Sequence, residues 1–442
     1  MKNTHNKQKI DDFELEPVPL NAKRSWYVIS LIWLAIGIDV SGLFLGALLS
    51  QGLSVYNALL ATFIGSSILA LLAMLCANIG FQSSVSTSLM SSTVFGRYGG
   101  KALGAINGIS LVGWFAFQTD FFAHILVASL DKYGIVISNL SALIFGALLM
   151  MITAIYGVRA LGKLSAYSVP LMVTLITVGL YMASSHSSVV EEPIRSPLSM
   201  GQAISYVMSI WILAAVAAPD ISRYAKTRKD AILGAGFGFL FGNSATLVVA
   251  ILLLRMTGST SLVDVFFGLG LGVAAIFIIV FAQWTTNSSN LVSGSLGLSV
   301  VFPNVPRPIL VVVMTAIGVV IAQLGMIEYF TSFLTLLGVV IAPSAGVYLA
   351  QYYFLDRSVM SFERTQTAPN WLLKGLISWF FGCVVSACTA TEFLGLFSIT
   401  SISAVDGILA SLVAYIVLMT FSNLRKPAEL RQPTELRKEN RP

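Results

Sequence analysis

Long apolar runs dominate the chain, and short polar turns separate them. A bilayer takes about 20 apolar residues per spanning helix, so the pattern predicts twelve helices. The first covers about Trp26–Leu49 and is interrupted by Gly37, Asp39, Ser41, Gly42 and Gly46. Others follow at about Val55–Ala77, Leu103–Leu130, Leu140–Tyr156 and Leu164–Ala183. The Ser- and Thr-rich stretch Phe81–Tyr98 reads as a loop with a short interfacial helix. The sixth helix, Gly201–Ile221, is broken near Ala217-Ala218-Pro219-Asp220. Ala231–Met256, an eighth helix around Phe277–Leu298, Ile309–Met326, Tyr329–Leu355, Leu372–Thr391 and Ala404–Ser422 complete the set.

The eighth helix carries the strongest signal. Thr285, Thr286, Asn287, Ser288, Ser289, Asn290 and Ser293 crowd into barely two turns of an otherwise apolar segment. Each unpaired polar group in hydrocarbon costs several kcal/mol, roughly. The cluster must therefore face protein, water, or a bound solute and ion. The two interrupted helices, first and sixth, each open a group of five. Paired broken helices in two halves point to an inverted-repeat transporter with its site near the midplane. Five is odd, so the second group enters the membrane from the opposite side.

This reading gives an all-α integral membrane protein. It has a cytoplasmic tail (1–24), a first five-helix repeat (25–183) and an external loop (184–200). A second five-helix repeat (201–355) leads into a cytoplasmic loop (356–371). Two further helices (372–422) and a cytoplasmic tail (423–442) complete it.

Composition agrees. The 442 residues are 56% hydrophobic and 10% charged, against about a quarter charged in soluble domains, and the mean hydropathy is +0.84. The net charge of +6 is set by loop placement. With both termini inside the cell, only Lys132, Arg195 and Arg255 of the 26 Lys and Arg fall outside, which fits the positive-inside rule and excludes a nucleic-acid partner. The polar N-terminus lacks a cleavable signal peptide, and the inner or plasma membrane is the expected location. Cys76, Cys383 and Cys388 lack metal-ligand spacing, and His5, His124 and His186 are scattered, against a membrane enzyme. No repeated filter sequence supports a channel. No cofactor is expected, a lone monomer is compatible with the residues, and the oligomeric state is not readable from them.

Each polar group has two readings. Thr285 and Thr286, with carbonyls freed where helix 1 unwinds, form a small oxygen cage for Na+, or simply bond their own helix backbone at i−4. Asn287 and Asn290 suit the amide-like edges of a nucleobase, or glue helices together. Trp114 and Gln118 share one face of helix 3, placing a flat aromatic surface above an amide, with Trp211 covering the opposite face of a planar ring; packing is the alternative. A carboxylate inside hydrocarbon is functional by default. Asp39, in the first break, sits beside a cation or is protonated, and either suits ion or proton coupling. Asp120 pairs with His124 or serves structure. Asp220 beside Arg223 reads as a structural or gating pair. Gly234, Gly236 and Gly238 have no preceding strand and read as helix packing rather than a phosphate loop.

Several motifs resemble one family along nearly the whole chain. Trp284-Thr285-Thr286-Asn287, followed by Asn290, Leu291 and Ser293, resembles the helix-8 signature of cytosine permeases. Pro219-Asp220-Ile221-Ser222-Arg223-Tyr224-Ala225-Lys226, Val112-Gly113-Trp114-Phe115 and the leader Glu16-Pro17-Val18-Pro19 resemble motifs of the nucleobase–cation symporter-1 family. The resemblance implies a leucine-transporter-type 5+5 inverted repeat plus two C-terminal helices. It also implies Na+- or H+-driven uptake of a nucleobase or related heterocycle. By position, Trp114 and Trp211 would sandwich the base, read by Gln118, Asn287 and Asn290. The cation would be held by carbonyls of Ala35, Ile38 and Ala282 and hydroxyls of Thr285 and Thr286. Asp39 departs from the Phe or Gln of the family, and a carboxylate there would bind an amino group or carry a proton. Leu111 replaces the Gln of cytosine permeases, which leaves a hydroxymethylpyrimidine, a purine or a pyridoxine-like vitamin as alternatives to cytosine.

Overall fold

The computed structural model describes residues 17–37, 39–156, 158–186, 196–259 and 261–424. Most of the 184–200 segment, expected to be an external loop, and both ends of the chain therefore lie outside the described residues. Those described are helical, with a single β-bridge between Arg24 and Ala225.

The first span is two helices, α1 (Trp26–Gly37) and α2 (Val40–Gly52). Asp39 ends the gap by capping α2, its Oδ1 accepting from Gly42 N at 2.7 Å. Next come α3 (Val55–Ser83), started by the Ser54 cap, and α4 (Thr87–Asp131). Of the stretch Phe81–Tyr98 expected to be a loop, Phe81–Ser83 ends α3 and Thr87–Tyr98 forms about the first three turns of α4. The hydroxyls of Ser91, Ser92 and Thr93 return to their own helix at 2.6–2.8 Å, which neutralises the polarity that reads as loop in sequence. Gly96 then bends the helix at φ 83°, and Arg97 N and Tyr98 N donate to the carbonyls of Pro369 and Asn370. Only glycine adopts this backbone at low cost.

After α5 (Asn139–Tyr156) and α6 (Val158–His186), the sixth span is broken twice rather than once. It comprises α7 (Met200–Ser209), α8 (Ile212–Val216) and α9 (Pro219–Ser222). The extra break falls at Ile210-Trp211, where no proline or glycine marks it. The rest are α10 (Arg228–Thr257), α11 (Leu262–Gly268), α12 (Gly272–Val301), α13 (Arg307–Gln323) and α14 (Phe330–Leu349). The last of these widens into π turns over Ala350–Leu355, and α15 (Phe362–Gln366), α16 (Leu373–Thr389) and α17 (Ser403–Leu424) follow. Short α11 was not expected. Among the described residues, six helices are long and apolar enough to cross a membrane.

Two large apolar bodies and a small one result. One large body joins α1, α2, α3, α6, α7, α8, α10, α11, α14 and α17 around Trp33, Leu69, Val207 and Phe239. The other joins α4, α5, α12 and α13 around Phe115, Met150, Leu291 and Met314. The small one lies between α4, α5 and α13 around Ala123 and Leu143. Helix α4 belongs to all three, and Ala282 of α12 also packs in the first.

Candidate functional site

The polar groups of α12 face three ways. Gln283, Asn287 and Asn290, spaced i, i+4 and i+7, lie on one helix face and meet α4. Asn287 Nδ2 donates to Thr119 Oγ1 at 2.9 Å and Phe115 O at 3.1 Å. Asn290 Nδ2 donates to Asn287 Oδ1 at 3.2 Å and lies 3.4 Å from Gln118 Oε1. Toward α5, Trp284 Nε1 donates to Thr153 Oγ1 at 2.8 Å and Ser288 Oγ to Met150 O at 3.2 Å. Thr285 Oγ1 returns to Phe281 O at 2.8 Å. Thr286 is half-buried and Ser293 exposed.

Gln118 closes the circuit. Its Nε2 donates to Ser41 Oγ in the first turn of α2 at 3.0 Å. A relay, Ser41–Gln118–Asn290–Asn287–Thr119, buried except at half-buried Asn290, thus runs from the first helix break through α4 to α12. Asp39 is buried two residues from its start. Of the cation set, Ala282 and Thr285 are buried, Ala35 lies in the last turn of α1, and Ile38 lies outside the described residues. Helix α2 touches α12.

The two tryptophans have separate surroundings. Trp114 meets Phe117, Phe330 and Phe333 at ring-centroid distances of 6.1, 6.3 and 5.3 Å. Trp211 meets Phe239 edge-on at 5.4 Å and lies on the end of α1: a Cβ on Gly37 would come within 2.7 Å of its ring. The two breaks therefore touch through Gly37 and Trp211. Phe44 of α2 joins Phe117, Phe121 and Phe330 in an aromatic cluster between α2, α4 and α14.

Asp120 and Asp220 each accept from a backbone N–H of a distant segment. Asp120 Oδ1 lies 3.1 Å from His124 Nδ1, and its Oδ2 accepts from Ile327 N at 3.0 Å. Asp220 Oδ1 accepts from Thr87 N at 2.6 Å at the start of α4, while Arg223 Nε donates to the Asp220 carbonyl at 3.1 Å. The glycines of α10 pack as expected: Gly234 against Ile29 and Gly238 against Trp33.

Sequence reading missed Gln283. It is fully buried, its Nε2 lies 3.5 Å from Gln118 O, and its Oε1 has no partner among the described residues. The spacing to Asn287 and Asn290 would have found it. The aromatic cluster left no such signal, because its members come from three distant segments.

Residues 17–418 match the family model described as permease for cytosine/purines, uracil, thiamine, allantoin. The chain belongs to the nucleobase–cation symporter-1 family. Within that family it is 27% identical to the cytosine permease of Escherichia coli (strain K12) over 368 residues, covering 82% of this chain and 86% of that one. It is 22% identical to the hydantoin permease of Microbacterium maritypicum over 433 residues, covering 89% and 85%. Among solved structures it resembles the symporter-1 transporter Mhp1 in its inward-facing conformation, with a TM-score of 0.77, 19% identity and coverage of 96% and 97%. The closed conformation with bromovinylhydantoin bound gives 0.75, 18%, 94% and 96%. A Na+-coupled sialic acid symporter gives 0.65, 10%, 94% and 93%. The protein is thus a multi-pass membrane transporter with the fold of these symporters.

Proposed function

We propose that this protein is a secondary active symporter that imports a nucleobase or related planar heterocycle, coupled to Na+ or H+. The observation that carries the proposal is the hydrogen-bond relay from Ser41 through Gln118 to Asn290 and Asn287. It links the first helix break to the polar face of α12, and it crosses from one apolar body to the other. A planar solute would lie between Trp114 and Trp211, its edge read by Gln118, Asn287 and Asn290. Trp211 would leave Gly37 for this, and Asn290 would exchange its bond to Gln118 for one to the solute.

The driving cation would sit among the carbonyls of Ala35, Ile38 and Ala282 and the hydroxyls of Thr285 and Thr286. Oxygen donors suit Na+. Asp39 would carry the proton in an H+-coupled cycle, or bind an amino group of the solute. Twelve spans in a 5+5 inverted repeat, 25–183 and 201–355, with 372–422 trailing, would let one apolar body rock against the other, with both termini in the cytoplasm. Cation occupancy shifts that balance only through its differential affinity for the two states.

Radiolabelled uptake into proteoliposomes tests this. Accumulation of a heterocycle above equilibrium, dependent on a Na+ or H+ gradient, is the expected result. Equilibration without a gradient would indicate a channel, and chemical conversion an enzyme. The carboxylate of Asp39 favours widening the screen to hydroxymethylpyrimidine and pyridoxine-like compounds.

A further inference from the structure

Breaking a helix frees carbonyls that the continuous helix would have bonded. Two such carbonyls face α10. Val207 O would meet Trp211 N in a continuous α7, but Trp211 N turns to Met208 O at 3.3 Å. Asn243 Nδ2 of α10 donates to Val207 O instead, at 3.0 Å, and also to Ser66 Oγ of α3 at 3.0 Å. At the other break Gly37 ends α1; its carbonyl accepts from Asp39 N at 3.0 Å instead of from the next helical turn, and lies 3.5 Å from Thr246 Oγ1. Helical Thr ordinarily returns its hydroxyl to its own i−4 carbonyl; Thr246 reaches across to α1.

Asn243 and Thr246 are one turn apart on one face of α10 and are 2% and 3% exposed. Thr246 also packs so closely on Gly42 that a Cβ there would collide with it. Gly242 beside them meets both the Gly37 end of α1 and the Trp211 ring. One turn of α10 therefore touches both breaks.

We infer that Asn243 and Thr246 are positioning residues that hold the two helix breaks in register, so that the freed backbone presents solute and cation groups in one geometry. The inference rests on the symporter reading for its transport consequences, but not for its structural ones.

The test uses Thr246→Val, which keeps shape and loses the hydroxyl, Thr246→Ser, which restores it, and Asn243→Ala. Full-length protein is measured two ways. In proteoliposome uptake of the heterocycle that wild type accumulates, Thr246→Val and Asn243→Ala should raise the solute KM or the cation half-saturation about fivefold, the worth of one net hydrogen bond, with kcat nearly unchanged. Thr246→Ser should stay near wild type. In hydrogen–deuterium exchange, Thr246→Val should speed the amides of Asp39–Gly42, and Asn243→Ala those of Ser209–Ile212, while the core of α5 keeps wild-type rates. Unchanged exchange at both breaks in these variants overturns the inference, even if a variant expresses poorly. So does a Thr246→Ser that behaves like Thr246→Val. If wild type accumulates no heterocycle, the symporter reading fails, and the exchange data alone decide the positioning role.

Discussion

Gln118 Nε2 donates to Ser41 Oγ across 3.0 Å, joining α4 to the first turn beyond the helix break. Both residues are buried, at 2% and 0% exposure. Replacing Gln118 by Leu removes the amide from the centre of the relay and strands Ser41 and Asn290 without it. An unmade buried hydrogen bond costs about 1–3 kcal/mol. We expect a lowered melting temperature and, in uptake assays, a solute KM raised at least about tenfold. An unchanged KM would remove Gln118 from the solute site.

Asp39→Asn keeps an oxygen for Gly42 N, and Asn is as good a helix cap as Asp. Folding should survive, with a melting temperature close to wild type. Uptake driven by a pH gradient should be abolished where Asp39 carries the proton. Measuring uptake against imposed pH and Na+ gradients separates the two couplings. Retained pH dependence would leave Asp39 as a solute contact or a cap.

Thr286→Ala tests the cation cage. Thr285 already bonds Phe281 O, so Thr286 carries the cleaner prediction. The expected outcome is a raised Na+ half-saturation with solute KM unchanged at saturating Na+. Normal Na+ dependence would exclude Thr286 from the site.

Asn287 is fully buried and bonds Thr119 and the Phe115 carbonyl. Asn287→Leu should therefore cost stability as well as transport, about 1–3 kcal/mol for the groups left behind. Thermal unfolding in detergent, followed beside uptake, should show both losses. A normal melting temperature would mean that the α4–α12 seam does not depend on Asn287.

Gly37 has no room for a side chain. A Cβ there would lie 2.7 Å from the Trp211 ring and 2.8 Å from the Gly242 carbonyl carbon. Backbone on one side leaves little to yield, and overpacking costs about 1–3 kcal/mol. Gly37→Ala should lower both melting temperature and uptake. Wild-type behaviour would show that Trp211 moves freely off α1.

The hydropathy of the chain by itself pointed to a helical membrane protein, because its continuous apolar runs of about 20 residues match a helix crossing the bilayer rather than the short alternating strands of a barrel. It also marked the first span as interrupted somewhere among Gly37, Asp39, Ser41, Gly42 and Gly46, and marked the polar stretch of the eighth; that the break falls at Gly37–Asp39, with Asp39 capping α2, came from the structure. Periodicity fixes which residues share a face, so Asn287 and Asn290 were legible together. Only the tertiary structure decided what each face meets. Asn287 binds α4, Ser288 binds α5, Trp211 rests on Gly37, and Asp220 caps Thr87 133 residues away. The second break at Ile210-Trp211 was equally hidden. Nothing in the local residues forbids helix there, and Asn243, from a helix further along the chain, binds the carbonyl that the break sets free.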